Sequence, residues 1–176
     1  MKTVILNELY LAMGFSSRHT HLLPYENEDV SSHFVTSVYS CSLGKWIMMD
    51  PDFGAYVTDV DGMILGVSEI RQCLINEVAS QPVYVGKRNP DNPVEGVDYF
   101  EFLSEFIFKI RCPISSEFDR DSRPVREYYE LIPDGYRGET LYGTIMTRRS
   151  KKILFVSDEA AFWQAPPDTL SESHQK

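Results

Sequence analysis

The sequence predicts an α+β fold, an N-terminal helix packed on a mainly antiparallel β-sheet. Three observations lead there. Residues 2–13 carry apolar side chains at helical spacing. Most later apolar stretches are short and rich in Val, Thr, Tyr, Trp and Ile, which suit a pleated surface. Several of those stretches turn back through compact loops, as antiparallel hairpins do.

Composition bounds the rest. The chain has 176 residues, 43% hydrophobic and 24% charged, enough for one domain with a buried core. A net charge of -9 argues against nucleic acid as a partner, because phosphate binding needs a basic surface. No run approaches the roughly 20 apolar residues of a membrane span. The opening residues, with Asn7 and Glu8 soon after Met1-Lys2, do not read as a signal peptide. A cytoplasmic location is the default, with export open should another segment precede Met1. Cys41, Cys73 and Cys112 show no CxxC spacing and no cluster with the four histidines, so neither a metal site, a cofactor nor a disulfide framework is expected. The chain reads as a single domain over residues 1–170 with a disordered tail at 171–176.

The elements follow in order. In the first helix, Ile5, Leu9, Ala12 and Met13 form the expected buried stripe, with Asn7 and Glu8 facing away and Gly14 as the stop. Ser17 to Leu23 reads as a strand, and 25–32 as a polar loop. His33 to Asp50 reads as a hairpin. A four-residue loop, Ser40 to Leu43, would set Tyr39 opposite Gly44 and His33 opposite Asp50. Facing Cβ atoms on antiparallel strands lie about 4.5–5.5 Å apart. Both faces of this hairpin are largely apolar, so cover on both sides is expected. Asp52-Phe53-Gly54 turns the chain, and residues 55–58 and 63–65 flank an Asp-Gly turn as a second hairpin. A calcium loop is excluded there, because Val57 and Ser68 occupy the positions that need carboxylates. Ser68 is the expected cap of a helix running to about Asn76. Residues 79–97, with three prolines, read as a long surface loop able to shape a binding site. Tyr99 to Ile110 reads either as a helix to Phe106 with a strand after it or as one element. Residues 112–126 form a polar connection. Tyr128 to Ile132 leads into a turn at 133–135. Residues 141–147 and 153–156 make a closing hairpin around the basic run 148–152. Phe162-Trp163 is a terminal anchor.

The chemistry-bearing candidates are His33 and Asp50. An imidazole beside a carboxylate is how a histidine general base is oriented. A His and an Asp at strand ends are also common as plain surface residues, and that reading stands beside the first.

Three segments together resemble the transglutaminase-like superfamily, whose fold is related to papain-type cysteine proteases. They are the helix ending Gly14-Phe15-Ser16-Ser17-Arg18, the strand start His33-Phe34-Val35, and Lys45-Trp46-Ile47-Met48-Met49-Asp50-Pro51. The resemblance covers roughly residues 1–77. It implies a papain-like arrangement and a Cys-His-Asp triad that attacks a glutamine carboxamide or peptide amide of a protein substrate. A thioester forms, which water or an amine then resolves. His33 would be the base and Asp50 its orienter. The resemblance also implies a cysteine at the N-terminus of the first helix, a position that falls just before Met1. Cys41 stands eight residues along the strand from His33, about 26 Å away. Cys73 and Cys112 do not begin a helix facing His33. Thr3 is the remaining hydroxyl near that helix start. The expected outcome is a domain without thiol-dependent activity, through loss of an upstream segment or as a natural non-catalytic relative. The rival class is a peptide- or glycan-binding module on the same fold. Arg18 is expected to support the fold through a salt bridge, and Trp46 to line the core or a pocket wall.

Overall fold

A computed structural model describes residues 2–25, 32–85, 98–115, 117–119, 126–133, 136, 145–148 and 151–166. The element order is α1 (Lys2–Ala12), β1 (Ser17–Leu23), β2 (His33–Ser40), β3 (Lys45–Met49), β4 (Ala55–Asp59), α2 (Val67–Ile75), β5 (Ser80–Tyr84), α3 (Tyr99–Phe106), β6 (Lys109–Pro113), β7 (Arg126–Leu131), β8 (Ile145–Arg148), β9 (Lys151–Val156) and α4 (Glu159–Phe162). The fold is α+β. Seven strands form one sheet in the order β3-β2-β1-β6-β7-β9-β8, and β4 and β5 form a small second sheet. Every pairing is antiparallel except β7 with β9.

Strand alternation sorts the large sheet into two faces. Leu22, Val35, Met48, Ile110 and Leu131 share one face and enter the main core with Val67 and Ile70 of α2, Leu103 of α3 and Phe162 of α4. Side chains buried this completely each contribute about 1.5–3 kcal/mol relative to exposure. The opposite face carries α1, placed by polar contacts. Thr36 Oγ1 donates to the Thr3 carbonyl at 3.3 Å, Thr3 Oγ1 donates to the Phe34 carbonyl at 3.1 Å, and Ser17 Oγ donates to Asn7 Oδ1 at 2.8 Å.

α1 therefore packs on the sheet, but with the reverse of its expected face. Thr3 and Asn7 point in, while Ile5, Leu9 and Met13 are more than half exposed. The cause is the surface beneath. Ser17 and Thr36, both fully buried, require hydrogen-bond partners there, which the Asn7 side chain and the Thr3 backbone carbonyl supply.

Other differences are local. The β2–β3 turn spans residues 41–44, so Tyr39 pairs with Trp46 rather than Gly44. The second hairpin shrinks to a tight turn and one bridge, Thr58 with Ile64. The full partner of β4 is β5, cut from the stretch read as loop 79–97; residues 86–97 lie outside the described residues. Gly66, not Ser68, is the N-cap of α2, and Glu69 Oε2 accepts from its amide at 2.7 Å. Residues 99–113 are a helix followed by a strand, and β6 runs into the expected connection as far as Pro113. β8 and β9 form the closing hairpin. The expected turn at 134–135, most of the 25–32 loop and the 171–176 tail lie outside the described residues.

The terminal anchor is present. Trp163 Nε1 donates to Ser68 Oγ at 2.6 Å, and Trp46 Nε1 donates to the Gln164 carbonyl at 3.0 Å. Arg18 sits in this clasp without the expected salt bridge among the described residues. Its guanidinium lies 3.8 Å from the centroid of the Trp46 ring and 5.2 Å from that of Trp163, and Nη1 donates to the Phe162 carbonyl at 3.4 Å. Aromatic faces take the role expected of a carboxylate. Trp46 is buried, as a core residue should be.

Candidate functional site

Local rules bring Asp50 to its place. The chain leaves β3, and the backbone amide and carbonyl of Asp50 pair with Ala55 at 2.8 and 2.9 Å. Gly54, with φ of 62°, supplies the left-handed residue that closes this turn. Asp50 Oδ1 accepts from the amides of Asp52 and Phe53 at 3.0 and 3.2 Å, an Asx-type turn. That leaves Oδ2 to point inward.

His33 opens β2 on the same face. Its Nε2 bonds Asp50 Oδ2 at 2.7 Å, with His33 5% and Asp50 1% exposed. The pair forms although the expected register does not hold. Moving Tyr39 from Gly44 to Trp46 is a slip of two residues, and a slip of two preserves which side chains share a face. Asp50 becomes a diagonal rather than a direct neighbour of His33, a separation of about 7–8 Å between such positions that an imidazole can bridge.

Sequence reasoning missed a third member. Tyr99 Oη donates to Asp50 Oδ2 at 3.1 Å from the start of α3. Asp98 caps that helix, accepting from Phe100 and Glu101 amides at 2.8 and 3.0 Å. The Asp-Tyr-Phe-Glu string signals a helix start, but nothing local tells where its tyrosine points. Burial, then the nearby Asp50 charge and its hydrogen bond, push the Tyr99 phenol well above its ordinary pKa, so it remains a donor. The Asp50 carboxylate thus accepts four bonds, two backbone and two side-chain.

Aromatic rings enclose His33. Phe53 and Phe102 meet it edge-on, with centroids 5.8 and 5.1 Å away, and Phe106 stands at 6.4 Å. With Nε2 facing the carboxylate, Nδ1 is the ring nitrogen left to meet another group. The arrangement can orient a base, and it can equally lock a strand end.

The groups that would complete a triad lie elsewhere. Cys41 is exposed in the β2–β3 turn, and Cys73 is half-buried on α2. Cys112 is buried in β6 with its sulfur 3.3 Å from Thr20 Oγ1, and burial raises its thiol pKa while Arg18 works against that shift. α1 and Thr3 lie across the sheet from His33, and the Thr3 hydroxyl already bonds the Phe34 carbonyl. Among the described residues no group of three or more His, Cys, Asp or Glu could hold a metal ion, and no helix is long and apolar enough to cross a membrane. Comparisons with family models, curated proteins and solved structures found no match.

Proposed function

We propose that this chain is a transglutaminase-like domain of papain-like arrangement, one unit over residues 1–170. In this reading Asp50 orients His33 as the base of an acyl-transfer or peptide-amide-hydrolysing site. The substrates of such a site are glutamine carboxamides or peptide amides of proteins. The chain itself is inactive in thiol chemistry, because no cysteine accompanies the pair. The supporting observation is the 2.7 Å bond from Asp50 to His33 Nε2, which leaves Nδ1 for a nucleophile.

The test supplies the missing group. Phe102→Cys puts a thiol where a ring now packs 5.1 Å from the imidazole. The rate of iodoacetamide labelling against pH should report a thiol pKa below the ordinary value of about 8.5. Adding His33→Gln should return it to that value. Equal titration of the two thiols would refute a poised base. In the unsubstituted chain, long-range nitrogen–proton spectra should find His33 protonated at Nε2, and no iodoacetamide-sensitive release of ammonia from a glutamine peptide.

The second reading is a non-catalytic peptide- or glycan-binding module. It draws on the three phenylalanines over His33 and on α1 lying across the sheet, whereas the family's helix start faces its histidine. Under that reading the pair is a structural clasp, and the introduced thiol titrates without regard to His33.

A further inference from the structure

A cavity of about 540 Å³ opens on the far side of α3 from His33, between α2, α3 and the ends of β7 and β9. That is within the size range of small-molecule pockets, about 300–1,000 Å³. Its walls are mostly apolar, with Leu74, Ile75, Ile107, Leu131 and Pro133 among them. Arg71 and Glu159 bring opposite charges to that wall. Arg71 is 9% exposed, and its Nη2 donates to Glu159 Oε1 at 3.1 Å. Nη1 is buried with no hydrogen-bond partner.

We propose that this cavity binds an amphipathic monocarboxylate, with Arg71 holding the acid group and the apolar wall holding its hydrocarbon body. A guanidinium prefers a two-point fork with a carboxylate, and Glu159 engages it at one point only. The Glu159 side chain is 38% exposed, so it can swing into water when another carboxylate takes Nη1 and Nη2 together. The orphaned Nη1 gains an acceptor, which removes the penalty of a buried unsatisfied donor. The Arg71–Glu159 pair is electrically neutral, so an acid that failed to displace Glu159 would find no net charge to attract it. Glu159 is thus a competitor of the ligand.

Isothermal titration with decanoate, and with decanol as the neutral match, tests it. Decanoate should saturate one site, and decanol should bind at least about tenfold more weakly, as expected for loss of a charged hydrogen bond. Glu159→Gln should tighten decanoate binding severalfold and leave decanol unchanged. Ile75→Trp, at a wall position 65% exposed and safe for folding, should fill the cavity and abolish both. Absence of saturable decanoate binding would overturn the proposal. So would equal affinity for decanol, or weaker decanoate binding by Glu159→Gln.

Discussion

Replacing Asp50 by Asn probes the centre of the molecule with the smallest change of shape. The carboxylate accepts from the Asp52 and Phe53 amides on Oδ1 and from His33 and Tyr99 on Oδ2. An asparagine that keeps its oxygen toward the two amides must aim its NH2 at His33 and Tyr99. His33 can adapt by moving its proton to Nδ1 and accepting at Nε2. Tyr99 can accept from that NH2, but its own hydroxyl proton is then left without an acceptor in a residue only 3% exposed. One unsatisfied buried donor costs about 1–3 kcal/mol, and replacing charged by neutral bonds adds about 1–2 more. Asp50→Asn should therefore destabilise the fold by about 2–5 kcal/mol. Urea unfolding followed by tryptophan fluorescence measures this. Tyr99→Phe removes the stranded hydroxyl, so the double substitution should cost about 1–2 kcal/mol less than the two single costs together. Additive costs, or an Asp50→Asn change under about 0.5 kcal/mol, would refute the four-bond account. The His33 nitrogen spectrum should also switch tautomer in Asp50→Asn; an unchanged spectrum would contradict the geometry directly.

Other substitutions test separate features. Gly66→Ala should cost about 2 kcal/mol or more, because a Cβ there collides with the Trp46 backbone carbonyl oxygen, as a lowered urea midpoint would show. Arg18→Met should stay within about 1 kcal/mol of the parent, since losing the tryptophan stacking is offset by no longer burying Nε and Nη2 without partners. Arg18→Ala opens a gap as well and should cost about 2–5 kcal/mol by the same unfolding measurement. His21 is held well below its ordinary pKa of 6.5 by burial, then by His19, Arg111, Lys151 and Arg126. The unfolded chain then binds the extra proton first, so stability is complete above about pH 6.5 and falls as pH drops toward the depressed folded value. His21→Phe should flatten that slope in melting temperature against pH, and a slope unchanged by the substitution would remove His21 as its source.

The amino-acid order by itself was enough for the α+β class, most strand positions, the turn after Asp50 and the shared face of His33 and Asp50. Each rests on local geometry. Alternation along a strand sets the face, and a register shift of two leaves it intact, so the pair survived a misplaced hairpin loop. The terminal anchor was legible for a similar reason, since Phe162-Trp163 has little to do in water.

Tertiary structure alone decided the inward face of α1, the partner of β4, the aromatic cage around Arg18 and the hydroxyl that Tyr99 brings to Asp50. Helical spacing marks an apolar stripe on α1, but Ser17 and Thr36 on the sheet below demanded hydrogen bonds, and burying Thr3 and Asn7 met that demand. Arg18 finds Trp163, and Asp50 finds Tyr99, across long separations in sequence. A periodic signal reports one element's own surface; it carries no information about the polarity of the surface that the rest of the chain lays against it.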